Sequence, residues 1–461
     1  MNMHRVMKRT WVLYVFLLVL LGGMFFFLWE YTTQAQRWVA ATGSPHLYNN
    51  NNIGCGTITD RSGTVLLDIS TSRSYAAETL TRKSTLHWLG DRKGFINAAA
   101  VSNYADEMAG YDKINGVYAA SGEAGYAELT LSAKVQDTAL EALGDRKGTV
   151  AVYNYKTGEI LCAVTAPSFD PDNVPDIGAD ETGAYDGVYL NRFVQSAYVP
   201  GSIFKIVTLT AALEKIPGIR EQTFRCYGKI EYGTEAVTCE TAHGNQSLDR
   251  AFANSCNCAF AQIAEQLGKT NMVNAVKQYE LTQSLSFDGI TTAKGNYNVE
   301  DTAPVTFAWS CIGQHSDLVN PARFMTFMGA IAGGGSAAEP YLMAQVRNGG
   351  EVTYEAETRK TGRLIPQEIA DTVKAYMRKN TEWVYGDWNF PGLKVCAKSG
   401  TSQLGGGQKS NAMFAGFVDS DEYPLAFMVV VENGGYGSHT CVPVLSKVLG
   451  VCKAVLDGKL S

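Results

Sequence analysis

One pair of residues in the sequence has the spacing and the chemistry of an activated nucleophile. Ser202 and Lys205 are three positions apart, so on a helix they lie on one face. Pro200 and Gly201 break the chain before an apolar helical pattern, which predicts that Ser202 lies at or near the first turn of a helix. A serine hydroxyl needs a neighbouring base to become nucleophilic, and a lysine desolvated among apolar residues can take its proton. Unpaired N–H groups at the helix start favour developing negative charge.

Ser255-Cys256-Asn257 is the second group, and it is the one Ser-x-Asn in the sequence. It lies between helical patterns at 248–253 and 260–267. Residues two apart diverge on a regular helix, so both side chains reach one pocket only if the chain turns here. The hydroxyl could then relay a proton, and the amide could hold a peptide group of a substrate. The alternative is that Ser255 is the N-cap of the following helix.

Lys398-Ser399-Gly400-Thr401 is the third group, and it follows an extended apolar run at 393–397. A lysine and hydroxyls on an inner strand can bind a carboxylate, and Gly400 would let a substrate approach the backbone closely. Lys-Thr-Gly also occurs at 156–158 and 360–362. The first of these fills a turn between two strands and the second leads into a helical stretch, which favours 398–401.

Composition and one apolar segment limit the function classes. The chain has 461 residues, 46% of them hydrophobic, which suffices for two or three domains with cores. Its net charge of −6 argues against nucleic acid as a partner.

Residues 10–29 carry no charge and are long enough for the hydrocarbon core of a membrane, with Arg5, Lys8 and Arg9 before them. We predict a cytoplasmic tail at 1–9 and a transmembrane anchor at 10–30; a cleaved signal peptide is the competing interpretation.

The exported part divides near residue 147. Residues 31–146 are turn-rich, with a strand–turn–strand pattern at 56–66, and predict a smaller pedestal or docking module. From there, strands at 149–153 and 160–164 form a hairpin signal, helical patterns follow, and strands return at 393–397, 413–418 and 425–431. This order predicts one α+β domain at 147–461, whose sheet brings early and late segments together.

The sequence has ten cysteines, more than expected for an exported chain that keeps them all as structural thiols. Cys226 and Cys239 flank a segment whose glycines permit a reversing turn, so we predict that they are close in space. With His243 they form Cys-x12-Cys-x3-His, and Cys256 or Cys258 could add a ligand. Buried thiols, a disulfide and a structural zinc site remain three alternatives.

Ser-x-x-Lys, then Ser-x-Asn, then Lys-[Ser/Thr]-Gly is the ordered set shared by serine β-lactamases and penicillin-binding proteins. The chain resembles a class B penicillin-binding protein, and it shares further short motifs with that family: the opening at 55–63, Lys156–Leu161, Pro167–Pro171, Asn191-Arg192, His243-Gly244, Ile312-Gly313-Gln314 and Val431–Gly435. It departs from the family in three places. Cys55 replaces an arginine, Ser399 replaces the commoner threonine, and His315 stands where a second glycine often occurs.

The resemblance implies a β-lactamase/transpeptidase-like fold, an antiparallel sheet with helices on both sides, and a monofunctional peptidoglycan D,D-transpeptidase. It implies the following roles: nucleophile Ser202, base Lys205, proton relay Ser255, donor-peptide binding by Asn257, and carboxylate binding around Lys398, Ser399, Gly400 and Thr401. No cofactor is required, although zinc at Cys226, Cys239 and His243 stays an alternative. The implied partners are stem peptides, β-lactam antibiotics and a polytopic membrane glycosyltransferase.

The implied location is the cell membrane, with one pass, a cytoplasmic N-terminus and an extracellular catalytic domain. Two other function classes stay open because the three motifs do not separate them. The chain could be a β-lactamase or a β-lactam sensor, or it could act mainly as a scaffold for a glycan polymerase.

Overall fold

The computed structural model of the chain describes residues 3–39, 48–49, 52–53, 56–70, 73–109, 125–403 and 409–460. Cys55 and the Gly405-Gly406-Gly407 link lie outside the described residues. The α-helices are α1 Met3–Val39, α2 Thr79–Leu89, α3 Ala99–Asn103, α4 Ala105–Ala109, α5 Ala133–Leu143, α6 Lys205–Lys215, α7 Leu248–Ala253, α8 Asn257–Gln278, α9 Pro304–Ile312, α10 Pro321–Ala332, α11 Gln367–Asn380 and α12 Gly437–Leu456. The strands are β1 Tyr48–Asn49, β2 Asn52–Ile53, β3 Gly56–Thr59, β4 Val65–Asp68, β5 Ser74–Tyr75, β6 Gly125–Leu129, β7 Gly148–Asn154, β8 Ile160–Ala166, β9 Thr223–Cys226, β10 Lys229–Tyr232, β11 Glu235–Thr238, β12 Gly244–Ser247, β13 Ser286–Phe287, β14 Ile290–Thr291, β15 Met343–Asn348, β16 Glu351–Glu355, β17 Val395–Ser402, β18 Asn411–Val418 and β19 Leu425–Val431.

Helix α1 contains the predicted anchor. Its segment Arg9–Gln34 is long and apolar enough to cross a membrane, and its apolar side chains are exposed rather than packed on the rest of the chain. A second helix of the described residues, α12, passes the same length and composition test. It is partly buried and contacts β17, β18 and β19, so it is a core helix of the folded domain.

The central sheet of the domain has the strand order β17-β18-β19-β7-β8, and every neighbouring pair is antiparallel. Early and late strands therefore meet at the β7–β19 pair, as predicted. Strand β19 is buried along its whole length. Its alternate residues Phe427 and Val429 face one cluster with α5 and α12, and Met428 and Val430 face the other cluster with α10. A strand covered on both faces reads as a continuous apolar run, which explains its sequence.

A second sheet has the strand order β16-β15-β6-β3-β4-β5. Its hairpin β15–β16 comes from residues 343–355, so this sheet combines strands from both sides of residue 147. Helix α5, also assigned to the predicted module at 31–146, contacts β8 of the central sheet and helix α12. The sequence patterns do not show which sheet each of these elements joins.

One strand extends further than the sequence pattern predicts. Strand β17 continues through Thr401 and Ser402, because its pairing with β18 runs on to Ser402 opposite Asn411. The Lys398–Thr401 group therefore lies within a strand rather than at its end. Gly268 closes the helical pattern at 260–267, as its type predicts: its φ of 73° and ψ of 157° are not helical, and a second helical segment of α8 follows after this kink.

Candidate active site

Ser202 lies in a 3-10 turn, Gly201–Phe204, that leads directly into α6. The prediction of a position at the first turn of a helix is confirmed. Gly201 has φ 56°, and its N–H donates to the carbonyl of Gly313 at 2.8 Å. A Cβ atom on Gly201 would lie 2.7 Å from the carbonyl oxygen of Thr401, so only glycine fits between the two backbones. This packing holds the Ser202 hydroxyl, which is partly exposed, at the edge of β17.

Lys205 is fully buried, and its amino group is the centre of the site. Its Nζ atom lies 3.1 Å from Ser202 Oγ, 3.0 Å from Ser255 Oγ, 2.6 Å from the Ser255 carbonyl and 2.7 Å from Asn257 Oδ1. Burial lowers the pKa of Lys205 to about 8. A neutral amine has two N–H groups and one lone pair, so it can donate to the Ser255 carbonyl and Asn257 while it accepts a proton from Ser202. The geometry therefore fits a general base.

Ser255 lies between α7 and α8 with φ 50°, an uncommon backbone conformation for a residue with a side chain. The turn brings Ser255 Oγ and Asn257 Oδ1 onto the same lysine, as the spacing argument requires. The N-cap of α8 is Cys256, whose Sγ accepts from the N–H of Ala259 at 3.4 Å. The N-cap alternative for Ser255 is therefore wrong.

Lys398 is only 1% exposed, and its ammonium lies against the same proton-relay candidate. Its Nζ donates to Ser255 Oγ at 3.1 Å and to the carbonyl of Ser399 at 2.9 Å. Burial lowers the pKa of Lys398, and the charge of Lys205 lowers it further. Ser399 and Thr401 are partly exposed on the same strand, so their side chains are available to a ligand.

The structure gives a different reason for glycine at position 400 from the one that the sequence predicts. The sequence suggested that it allows a substrate to approach the backbone. In the structure, a Cβ atom at this position would lie 2.8 Å from the carbonyl oxygen of Pro200 and 3.0 Å from Ile203 Cγ2. Gly400 is therefore required by the close packing of the nucleophile turn against β17.

Sequence reasoning assigned no role to two residues that hold β17 in place. Gln314, which belongs to the Ile312-Gly313-Gln314 motif, donates from Nε2 to the carbonyl of Thr401 at 3.2 Å. Tyr385 bonds both the backbone and the side chain of Ser399, and no motif pointed to it. Beside Gln314, His315 has φ 94°, which explains why glycine is common at that position.

Four residues form a compact ligand set beside the Ser255 turn. The ligand atoms of Cys226, Cys239, His243 and Cys256 all lie within 4.8 Å of one another. Cys226 Sγ is 3.4 Å from His243 Nδ1, and Cys239 Sγ is 3.7 Å from Cys256 Sγ. The predicted proximity of Cys226 and Cys239 is confirmed. The three thiols of the set form no disulfide, since the cysteines of the described residues are free. A tetrahedral site with metal–sulfur bonds of about 2.3 Å requires ligand separations of about 3.7 Å, so these distances suit zinc.

Comparison with known proteins decides the family. The profile described as "Penicillin binding protein transpeptidase domain" matches residues 148–450. The chain belongs to the penicillin-binding protein transpeptidase family. The peptidoglycan D,D-transpeptidase PbpA of Mycolicibacterium smegmatis is 26% identical over 341 residues, which are 68% of this chain and 68% of that protein. Stage V sporulation protein D of Bacillus subtilis is 28% identical over 348 residues, which are 70% of this chain and 52% of that protein.

Solved structures show the same penicillin-binding transpeptidase fold. The D,D-transpeptidase domain of a peptidoglycan glycosyltransferase from Eggerthella lenta is 25% identical, with a TM-score of 0.75, covering 88% of this chain and 99% of that one. Penicillin-binding protein A of M. tuberculosis, solved as a ceftriaxone acyl-enzyme complex, is 20% identical, with a TM-score of 0.73, covering 86% of this chain and 97% of that one. The predicted fold class is confirmed.

Proposed function

We propose that this chain is a peptidoglycan D,D-transpeptidase that works through an acyl-ester on Ser202 and is the target of β-lactams. The convergence of Ser202, Ser255 and Asn257 on the buried amine of Lys205 carries the proposal. Relatives that carry the name peptidoglycan D,D-transpeptidase and the fold of acyl-enzyme complexes support it.

In the first half-reaction, Ser202 Oγ attacks the penultimate D-Ala carbonyl of a donor stem peptide. Lys205 takes the serine proton, and Ser255, bonded to Lys205, returns a proton to the amine of the leaving D-Ala. The backbone N–H groups of Ser202 and Thr401 stabilise the oxyanion, a contribution of about 3 kcal/mol per donor in other enzymes. The peptide bond becomes an ester without any nucleotide.

Substrate recognition falls to β17 and to Asn257. Ser399 and Thr401 bind the carboxylate of the terminal D-Ala, which the carboxylate of a β-lactam imitates, and buried Lys398 adds positive charge. Asn257 Nδ2 donates to the carbonyl of Thr238 at 2.7 Å and has a second N–H for the donor peptide. The acyl group then passes to an amine on a neighbouring strand, which completes the cross-link.

We further propose that α1 anchors the domain in the cell membrane with a cytoplasmic N-terminus, because Arg5, Lys8 and Arg9 precede the apolar segment. The catalytic domain is then extracellular, where glycan strands are assembled. A polytopic membrane glycosyltransferase would supply those strands, and α1 is the element available to contact it.

Acylation by a fluorescent penicillin tests the function. We expect one adduct on the wild-type chain by intact mass and none on Ser202→Ala. An adduct that persists in Ser202→Ala would refute the assignment of the nucleophile. Nitrocefin separates the alternatives: a transpeptidase gives one rapid acylation and slow release, whereas turnover of many molecules per second would make the chain a β-lactamase.

We also propose that the Cys226, Cys239, His243 and Cys256 set binds a structural zinc ion. Cys256 lies between Ser255 and Asn257, so a metal held there would fix the turn that places both residues on Lys205. The N–H of Cys258 donates to Cys239 Sγ at 3.3 Å, which favours the thiolate form of Cys239 that a metal would bind.

Metal analysis of protein purified without oxygen tests this site. We expect about one zinc per chain and its loss in Cys239→Ser, with slower acylation because the Ser255 turn loosens. Cys441→Ser, a buried thiol on α12, is the matched control and should keep the metal. Wild-type protein that holds no metal when zinc is supplied would rule the site out.

A further inference from the structure

Tyr385 lies behind the carboxylate-binding strand and is almost fully buried. It ends a π-helical turn, Thr381–Tyr385, that follows α11. Its hydroxyl oxygen receives the backbone N–H of Ser399 at 2.7 Å and lies 2.9 Å from Ser399 Oγ. Asn380 Nδ2 lies 3.2 Å from the same oxygen. One tyrosine hydroxyl thus contacts Ser399 twice.

The number of protons and lone pairs fixes the direction of these bonds. A phenol has one proton to donate, and its oxygen accepts from the N–H groups of Ser399 and Asn380. Its own proton therefore goes to Ser399 Oγ. Burial raises the pKa of the Tyr385 hydroxyl, so this proton is retained at neutral pH. Because Ser399 Oγ accepts from Tyr385, the proton of Ser399 remains available for a ligand.

The surroundings keep the hydroxyl of Tyr385 in this position. Its ring packs edge-on against Phe414 of β18, with 4.9 Å between the ring centroids. Asn380, which is fully buried, donates to the carbonyl of Ala397 at 2.7 Å as well as to Tyr385. The end of α11 is therefore fixed to β17 on both sides of Lys398.

The contact with Tyr385 matters because residue 399 is a serine and not a threonine. Threonine is commoner in the family, and its branched Cβ restricts the χ1 angle of the hydroxyl. Serine lacks that methyl group, so Ser399 needs another restraint to hold its hydroxyl in one rotamer. The Tyr385 hydroxyl supplies a restraint of that kind.

We propose that Tyr385 is a positioning residue that orients the Ser399 hydroxyl so that its proton points at the carboxylate of the stem peptide or β-lactam. This inference rests on the proposed function, because it assumes that Ser399 binds that carboxylate. It adds a specificity determinant that acts through Ser399 and does not touch the reacting atoms.

A matched pair of ligands tests it: penicillin G and its methyl ester, which lacks the carboxylate charge. In Tyr385→Phe we expect the second-order acylation rate constant for penicillin G to fall roughly 10-fold, the size of one lost hydrogen bond to a charged group. This loss should come from a rise in the penicillin G concentration needed for half-maximal rate, with the maximal rate unchanged. The rate constant for the ester should change less than about 2-fold.

Tyr155→Phe is the control, since the partners of its hydroxyl among the described residues are the carbonyls of Val418 and Ser420, which are not site residues. It should leave both ligands unaffected. Adding Ser399→Thr to Tyr385→Phe should restore the rate with penicillin G, because the methyl group replaces the lost restraint. Adding Tyr385→Phe to Ser399→Ala should cause no further loss.

Equal losses with acid and ester, or a further loss in the Ser399→Ala background, would overturn the inference. Absence of acylation in the wild type would instead refute the proposed function. If Tyr385→Phe does not fold, difluorotyrosine at 385 keeps the ring and hydroxyl but loses its proton at a lower pH. At alkaline pH the difluorotyrosine variant should then be acylated more slowly by penicillin G, but not by its methyl ester. If the ratio of the two acylation rate constants does not change with pH, the inference is contradicted.

Discussion

Lys205 and Lys398 place their amino groups on one oxygen atom, Ser255 Oγ, at 3.0 and 3.1 Å. Both lysines are buried, and both have a lowered pKa, chiefly because of that burial. Lys205 also reaches Ser202, whereas Lys398 also reaches the carbonyl of Ser399. The shared hydroxyl thus connects the nucleophile side of the site with the carboxylate side.

This arrangement predicts different consequences for the two lysines. Lys205→Ala should reduce the maximal acylation rate by about 100-fold or more, because the nucleophile loses its base. Lys398→Ala should chiefly raise the β-lactam concentration for half-maximal rate, because the carboxylate loses a charge partner. Stopped-flow acylation against β-lactam concentration separates the two parameters.

Lys156→Ala is the matched control, since Lys156 belongs to another Lys-Thr-Gly and pairs with Asp421 on the surface. It should behave as wild type. Indistinguishable concentration profiles for Lys205→Ala and Lys398→Ala would contradict the division of roles.

The pH dependence of acylation should report Lys205. Its pKa is lowered to about 8 by burial, and only the neutral amine can accept the Ser202 proton. Below that pKa the neutral fraction falls about 10-fold per pH unit, so the rate should rise with pH and level off above about 8. Acylation rate constants measured from pH 5.5 to 9.5, with folding monitored by circular dichroism, would show this. A rate independent of pH across that range would exclude Lys205 as the base.

Gly400→Ala should damage the site through backbone packing. The added Cβ would lie 2.8 Å from the carbonyl oxygen of Pro200, so the nucleophile turn must move away from β17. We expect a loss of about 1–3 kcal/mol in the free energy of unfolding, together with slower acylation. Gly450→Ala, in helix α12 with open space around it, is the control and should be neutral or stabilising. Equal melting temperatures for the two variants would argue against this packing role.

His315→Gly should stabilise the chain. His315 has φ 94°, a conformation that strains any residue with a Cβ atom, and glycine removes that strain. We expect a gain of about 1 kcal/mol, measured by denaturant unfolding. His315→Ala keeps the Cβ atom and should give no gain, which separates the backbone effect from loss of the imidazole. A gain of the same size in both variants would point to the imidazole instead.

The sequence by itself determined the family and predicted the candidate reactive groups. Ser202 with Lys205, Ser255 with Asn257, and the residues at 398–401 each lie within a few positions, so their chemistry can be read locally. Apolar runs such as 425–431 likewise predict strands, because side-chain periodicity is a local property. The ordered set of motifs then identified the fold that the structure has.

The tertiary structure alone decided which of these groups meet and what supports them. Lys398 and Ser255 are separated by 143 positions, and their contact depends on how α7, α8 and β17 pack. The same is true of hairpin β15–β16, which completes the other sheet, and of Cys256, which joins the ligand set with Cys226 through the turn at Ser255. Tyr385 has no motif, since a tyrosine after a helix is chemically ordinary. It becomes significant only because a π-helical turn places its hydroxyl on Ser399, and long-range packing of this kind leaves no periodic signal in the chain.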